Sequence, residues 1–232
     1  MPDVTIVIPV YNEAENIRFA VEKIENVVGA EHIIKIIYDT DTDATLPVVR
    51  ELQKTHYNLE LVKNLYGYGA AGAIKTGFIT SQTKFVVVTM ADLSDPPIVI
   101  NEMIKIAREQ NTDIVCASRY MKEGKRFGGP LLKGLMSRFA CLTLYYLAGI
   151  PTHDATNSFK LYRTSFLKDQ KIESTGGFEL GIELVVKAHL QGKIICETPT
   201  TWTNRVSGKS NFKLRAWLSG YLKWYFMAFR KR

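Results

Sequence analysis

Strand and helix alternate through the first 117 residues, and this predicts an α/β fold with a mostly parallel sheet covered by helices on both faces. Three observations carry that reading. The run VTIVIPV at 4–10 is β-branched and strand-like. The run FVVV at 85–88 is apolar without alternation, as in a central strand buried on both sides. Acidic loops at 39–43 and 92–95 each follow a predicted strand, so they are expected to share one edge of the sheet, where open α/β sheets bind ligands.

The elements follow in order. After the strand at 4–10, a loop at 11–15 leads into a helix with Ile17, Ala20, Val21, Ile24 and Val28 at helical spacing. Asn12 is expected to cap it, with Glu15 completing a capping box. A second strand at 33–38 ends in Asp39, Asp41 and Asp43; a helix at 48–54 and a strand at 59–62 come next. Gly67, Gly69 and Gly72 introduce a helix to about 81 (roughly three turns), and the FVVV strand follows. A helix at 98–109 and a strand at 113–117 close the regular part.

Beyond 121 the alternation weakens. Residues 123–130 read as a basic, glycine-rich surface loop, 131–147 as a helix with one strongly apolar face, and 157–162 as a strand. A helix at 178–191, with Leu180, Leu184, Val185 and Ala188 inward, and a strand at 194–197 follow. Residues 212–232 form an aromatic, basic terminal helix. Its face of Leu214, Trp217, Leu218, Tyr221, Trp224, Tyr225, Ala228 and Phe229 opposes Arg215, Ser219, Lys223 and Arg230. That pattern fits a helix lying on a bilayer; docking on its own domain or on a second copy of the chain, as a homodimer contact, is the alternative. The expected organisation is a catalytic domain over 1–211, made of halves 1–117 and 118–211, followed by the amphipathic helix at 212–232.

Charge divides the chain. Residues 1–116 carry 10 basic and 16 acidic side chains, a net of −6, whereas 117–232 carry 20 and 7, a net of +13. An acidic half suited to a cation and a basic half suited to anions suggest two jobs. Nucleic acid is disfavoured, because no nucleic-acid motif accompanies the basic half and aromatic apolar residues crowd beside the charge. Cys116, Cys141 and Cys196 are few, scattered and set in apolar context, as in a reducing compartment. No signal-peptide pattern and no apolar run near the ~18 residues of a spanning helix occurs. The expectation is a cytoplasmic protein peripherally associated with a membrane.

The loop ADLSDPP supplies the central chemical question. Asp92 and Asp95 at a strand's carboxyl end can hold Mg²⁺ or Mn²⁺ against a diphosphate, or form an Asp-Pro turn ahead of a helix. Gly67, Gly69 and Gly72 satisfy G-x-G-x-x-G, but in the wrong strand context and with no acidic residue in a ribose-binding setting, so a dinucleotide site is disfavoured. His32, His56, His153 and His189 lack metal-ligand spacing. Trp202, in the polar run TTWTNR, suits sugar stacking or a cover over the core.

With these residues in view, the chain resembles the family-2 glycosyltransferases of GT-A fold, and within them the dolichol-phosphate mannosyltransferase and polyprenyl-phosphate glycosyltransferase subgroup. The resemblance covers nearly the whole chain. It rests on IVIPVYNEAENI, ADLSDPP, CASRY at 116–120, DATNSFKLYR at 154–163, FELGIELVVKAHLQG at 178–192 and RVSGKSNF at 205–212, in the family's order.

The resemblance implies a hexose transferred from a nucleotide-diphosphate sugar, of GDP-mannose or UDP-glucose type, to a polyprenyl phosphate, with inversion and metal assistance. Pro9, Tyr11, Glu13, Asp39 and Asp92 would bind the donor, and Asp92 with Asp95 the metal. Two departures stand out: Tyr38-Asp39 replaces a pair of aspartates, and Met90-Ala91-Asp92 replaces Asp-x-Asp, which removes one oxygen ligand. A lipid phosphate, with a second pKa of about 6, is already ionised at neutral pH and needs no general base. The work left is positioning and charge stabilisation. Arg119, Arg138 and Arg205 are the candidates for the acceptor phosphate and, with Asp92, for catalysis; Lys133 and Lys209 are secondary. Asp154 and Glu183 are expected to line the acceptor site. A sugar-hydroxyl acceptor would instead need a carboxylate base, from Asp154, Glu179 or Glu183. The departures also motivate a rival: a nucleotide-sugar-binding module with weak catalysis.

Overall fold

The computed structural model describes residues 2–204 and 214–230. The first half runs β1 (Val4–Val10), α1 (Ala14–Val27), β2 (His32–Tyr38), α2 (Thr45–Leu52), β3 (Leu59–Lys63), α3 (Ala70–Thr80), β4 (Phe85–Val88), α4 (Val99–Glu109) and β5 (Ile114–Ser118). The second continues with β6 (Lys125–Phe127), α5 (Leu131–Ala148), β7 (Lys160–Arg163), α6 (Thr164–Lys168), α7 (Leu180–Leu190), β8 (Ile195–Pro199), β9 (Thr201–Thr203) and α8 (Leu214–Met227).

Seven strands form one sheet in the order β3-β2-β1-β4-β7-β5-β8, and β6 pairs with β9 in a small separate ribbon. All neighbours in the large sheet are parallel except β7, which runs antiparallel to β4 and β5. The strands alternate their apolar side chains between two buried layers. Val4, Ile6 and Ile8 of β1 with Phe85 and Val87 of β4 meet Ile17, Val21, Val49, Ile100 and Met103 on one side. Val7, Val86 and Val88 meet Ala73, Ile74, Phe78, Leu184 and Trp224 on the other. A strand buried on both faces needs no alternation of polarity, and this is why FVVV reads as continuous.

Several local expectations are revised. Asn12 does not cap α1. It stands at φ 54°, its N–H donates to both Asp43 carboxylate oxygens, and its Oδ1 accepts from the Ala44 N–H, so it bridges two loops. Helix α2 begins at Thr45 because Asp43 Oδ1 accepts the Thr45 N–H at 2.8 Å. The loop expected over 123–130 contains β6, whose three residues are a strand only through pairing with β9. The described middle of the terminal helix's aromatic face is turned inward: Trp224 and Ala228 are buried, Tyr221 and Tyr225 pack beside them, and Trp224 Nε1–H donates to Ser174 Oγ at 3.2 Å, whereas Phe229 is exposed. Docking on its own domain therefore replaces the expectation of a bilayer under that face.

Candidate active site

The sheet order locates the crevice. From β1 the chain steps outward through β2 and β3, then returns to place β4 on the other flank of β1. The carboxyl ends of β1 and β4 thus diverge, and open α/β sheets bind ligands at such a switch point. Asp39 follows β2 and Asp92 follows β4, the two neighbours of β1, so both lie on one edge with Tyr11 and Glu13 between them in strand order. Pro9 lies within β1, opposite Ile37. Tyr11 is exposed, Glu13 is half-buried, and Glu13 N–H donates to Thr45 Oγ1 at 2.9 Å.

On the β2–β3 side, Asp39 organises the glycine loop. Its Oδ1 accepts from Asn64 Nδ2 at 2.7 Å and its Oδ2 from the Gly69 N–H at 2.8 Å. Gly69 adopts φ 104°, accessible at little steric cost only without a Cβ. Between these anchors the loop exposes Tyr66 and Tyr68. Asn64 was not anticipated from sequence, although it immediately precedes the glycine cluster.

On the β4 side, Ser94 N–H donates to Asp92 Oδ1 at 3.1 Å, and Leu93 between them sits at φ 50°. A branched residue in the left-handed region is strained, and the strain falls in the loop that aims Asp92. Asp95 departs from its expected role. It is buried, and its Oδ1 accepts from Asn157 Nδ2 at 3.2 Å and from Thr200 Oγ1 at 3.1 Å. Burial raises its carboxyl to about 6 against the pull of Arg119, Asn157 and Thr200. It braces the loop from within, through the Oδ1 that Asn157 and Thr200 share.

The basic half converges on Arg119. Its Nε and Nη2 donate to the two oxygens of Asp154 at 2.6 and 3.0 Å, and its N–H donates to Oδ2 at 3.0 Å. Nη2 also reaches Thr156 Oγ1 at 3.2 Å. Burial would raise the Asp154 carboxyl, but the Arg119 guanidinium outweighs it and holds that carboxyl below the usual range. Asp154 is therefore the residue that positions Arg119, through a bidentate pair. Lys160, also fully buried, donates to the Asn157 carbonyl, and burial lowers its pKa. Arg138 is exposed on α5 and Lys133 is half-buried there. Glu183 is not at the surface of the crevice: it is buried, accepts the Glu173 and Ser174 N–H groups at 2.7 Å each, and pairs with Lys187 at 2.7 Å. Arg205 and Lys209 lie outside the described residues. Arg126 stacks on Trp202 with its guanidinium 5.1 Å from the ring, so one face of that half-buried indole is occupied.

The two carboxylates expected to hold a cation differ in their surroundings: Asp92 stands at the carboxyl end of β4, whereas Asp95 is engaged by Asn157 and Thr200. Among the described residues no three His, Cys, Asp or Glu side chains converge to hold a metal. Apart from Met1, the remaining segments, 205–213 and 231–232, contain none of those residue types. Met90, in the position where a first carboxylate was expected, packs against the apolar layer beneath α3 and α7.

A mostly parallel sheet with one antiparallel strand and acidic groups gathered at its switch point is the architecture of the GT-A fold. Solved structures of similar fold include two bound to nucleotide sugars. Glucosyl-3-phosphoglycerate synthase from Mycobacterium tuberculosis, in complex with Mn²⁺, UDP-glucose and phosphoglyceric acid, superimposes with a TM-score of 0.69 at 14% identity, covering 97% of this chain and 80% of that one. A mannosyltransferase from Pyrobaculum calidifontis in complex with GDP-mannose and Mn²⁺ gives 0.67 at 18%, covering 97% and 63%. The model of glycosyl transferase family 2 matches residues 5–170, and the chain belongs to that family. It is 29% identical over 215 residues to the dolichol-phosphate mannosyltransferase of Pyrococcus furiosus, covering 90% of this chain and 59% of the relative's length. It is 26% identical over 211 residues to the polyprenol monophosphomannose synthase of Mycolicibacterium smegmatis, covering 88% and 79%.

Proposed function

We propose that this glycosyltransferase moves a hexose from a nucleoside-diphosphate sugar to a polyprenyl phosphate at a membrane surface. The single observation that carries the reading is the Arg119–Asp154 pair: a guanidinium buried and oriented at the end of β5, one residue group away from the β4 loop through Asn157 and Asp95. Asp154 takes Nε and Nη2 and offsets much of the charge, so Arg119 offers a phosphate acceptor a preorganised donor group that does not reorganise during the reaction, with Arg138 and Lys133 adding net positive charge. Tyr11 and Glu13 receive the nucleoside, Asp39 shapes the loop over it, and Asp92 faces the sugar–diphosphate junction. The ionised acceptor oxygen attacks the anomeric carbon as the diphosphate leaves, which inverts the configuration and needs no proton transfer. Arg138, Lys133, Arg205 and Lys209 complete the cationic side.

Among the described residues, no helix is long and apolar enough to cross a membrane. The outer face of α5 suits peripheral contact with lipid: Leu132, Leu135, Met136 and Phe139 are exposed at helical spacing. The test is transfer of labelled sugar from GDP-mannose and UDP-glucose to polyprenyl phosphate in detergent, with Arg119→Lys as comparison. Lysine keeps the charge but loses the fork, and a loss of at least about tenfold in kcat/KM is expected. Full turnover onto a free sugar alcohol, with none onto the lipid, would overturn the acceptor assignment. That second reading has one point in its favour. Asp154 and Glu183 are committed to protein partners, but Glu179 Oε2 is buried with no hydrogen-bond partner among the described residues.

A further inference from the structure

We infer that this chain binds its nucleotide-sugar donor without requiring a divalent cation, and that Met90 sets this property. The inference rests on the proposed donor site. The carboxylates along the carboxyl edge of the sheet all accept protein donors, Asp92 from the Ser94 N–H and Glu13 from Asn16 included, and Asp92 alone stands at the end of β4, where a diphosphate-bridging ion would need an anchor. Asp39 is held by Asn64 and Gly69, at 2.7 and 2.8 Å. Asp41 pairs with Lys63. Asp43 is buried and accepts the Asn12 and Thr45 N–H groups. Asp95 is buried between Asn157 and Thr200.

The neighbouring position cannot supply the missing oxygen. Met90 packs its side chain into the apolar layer, and a thioether is a soft ligand that Mg²⁺ and Mn²⁺ do not favour. A hard cation takes six or more oxygens and tolerates water for several, but it is usually anchored by more than one protein carboxylate or by phosphate as well. One carboxylate plus a diphosphate leaves the cation bound mainly to the nucleotide, so its presence changes the protein's affinity little. Neutralisation of the diphosphate then falls to the cationic half, whose net charge of +13 stands against −6 in the half that holds the base.

Calorimetric titration of GDP and UDP into the full chain, in chelator and in Mn²⁺, tests this. The expected result is a measurable Kd in chelator that Mn²⁺ changes by less than about threefold. In Met90→Asp, Mn²⁺ is expected to tighten binding by about tenfold, because a second carboxylate two positions from Asp92 completes an anchor. Thermal melting without ligand reports whether that variant folds; the wild-type titration decides the inference in either case. Binding seen only with Mn²⁺ overturns the inference and leaves the donor site standing. Failure of both nucleotides to bind in every condition overturns the donor site together with it.

Discussion

Asp95 shows how a single side chain can keep a motif and change its use. Its carboxyl is raised from 3.8 to about 6, chiefly by burial. The folded chain therefore takes up a proton between those values that the unfolded chain does not hold. Stability from this group is fully present below 3.8 and is lost as pH rises through about 6. Asp95→Asn keeps an oxygen for Asn157 and Thr200 and removes the buried charge. Its urea unfolding free energy is expected to lack this downward slope and to exceed wild type at pH 7.5 by about 1–3 kcal/mol. A variant less stable than wild type at pH 7.5 would show that attraction to Arg119 outweighs burial. Asp154 behaves oppositely. Its carboxyl lies below the ordinary range, with burial opposing and Arg119 prevailing, so its contribution is lost only as pH falls through that lowered value. Asp154→Ala leaves a guanidinium buried without its partner, and a loss of about 3–5 kcal/mol in the same unfolding measurement is expected.

At the scale of elements, close approach decides the fold as much as polarity. Helix α3 lies so near β1 that a Cβ on Gly77 would stand 2.4 Å from Val7 Cγ1 and 2.7 Å from Cγ2, and Val7 is itself fully buried. Gly77→Ala is expected to lower the unfolding free energy by about 1–3 kcal/mol through overpacking, and an unchanged melting temperature would mean that the helix shifts freely. Most elements were legible because they repeat a simple period. The strands at 4–10 and 85–88, and the helices at 98–109 and 131–147, each signal burial within their own residues. What the sequence hid depends on partners far along the chain. β6 and β9 are three residues each and exist by mutual pairing. The inward turn of Trp224 depends on Ser174, fifty residues away in the chain. In the site, Asp39, Asp92 and Arg119 fall where strand order and motif place them, on one edge and at the end of β5. The commitment of Asp95 to Asn157 and Thr200, and of Glu183 to the 173–174 turn, follows from contacts that no local pattern encodes.

For the whole molecule, the distribution of exposed apolar area sets the orientation in which a lipid acceptor would arrive. Helix α5 buries Gly134, Cys141 and Leu144 and turns Leu132, Leu135, Met136 and Phe139 outward. Thr143 Oγ1 and Tyr225 Oη, 2.9 Å apart, join α5 to α8, which exposes Leu222 and Phe226. Ser137 on the same α5 hydrogen-bonds Tyr120 Oη and Thr156 Oγ1, at 3.0 and 2.8 Å, so the apolar helix is tied directly to the surroundings of Arg119. A bilayer covering the outer face of α5 would thus deliver a lipid phosphate beside the guanidinium proposed to receive it. Burying a side chain the size of Leu or Phe contributes about 2 kcal/mol. The double variant Leu135→Ser/Phe139→Ser should therefore lose at least about tenfold in co-flotation with anionic phospholipid vesicles, with its melting temperature unchanged because both positions are exposed. Phe226→Ser should lose less, since α8 spends its aromatic face on the protein core. Equal flotation of the α5 variant and wild type, with loss confined to Phe226→Ser, would move the lipid-facing plane to α8 and away from the arginine that α5 helps to hold.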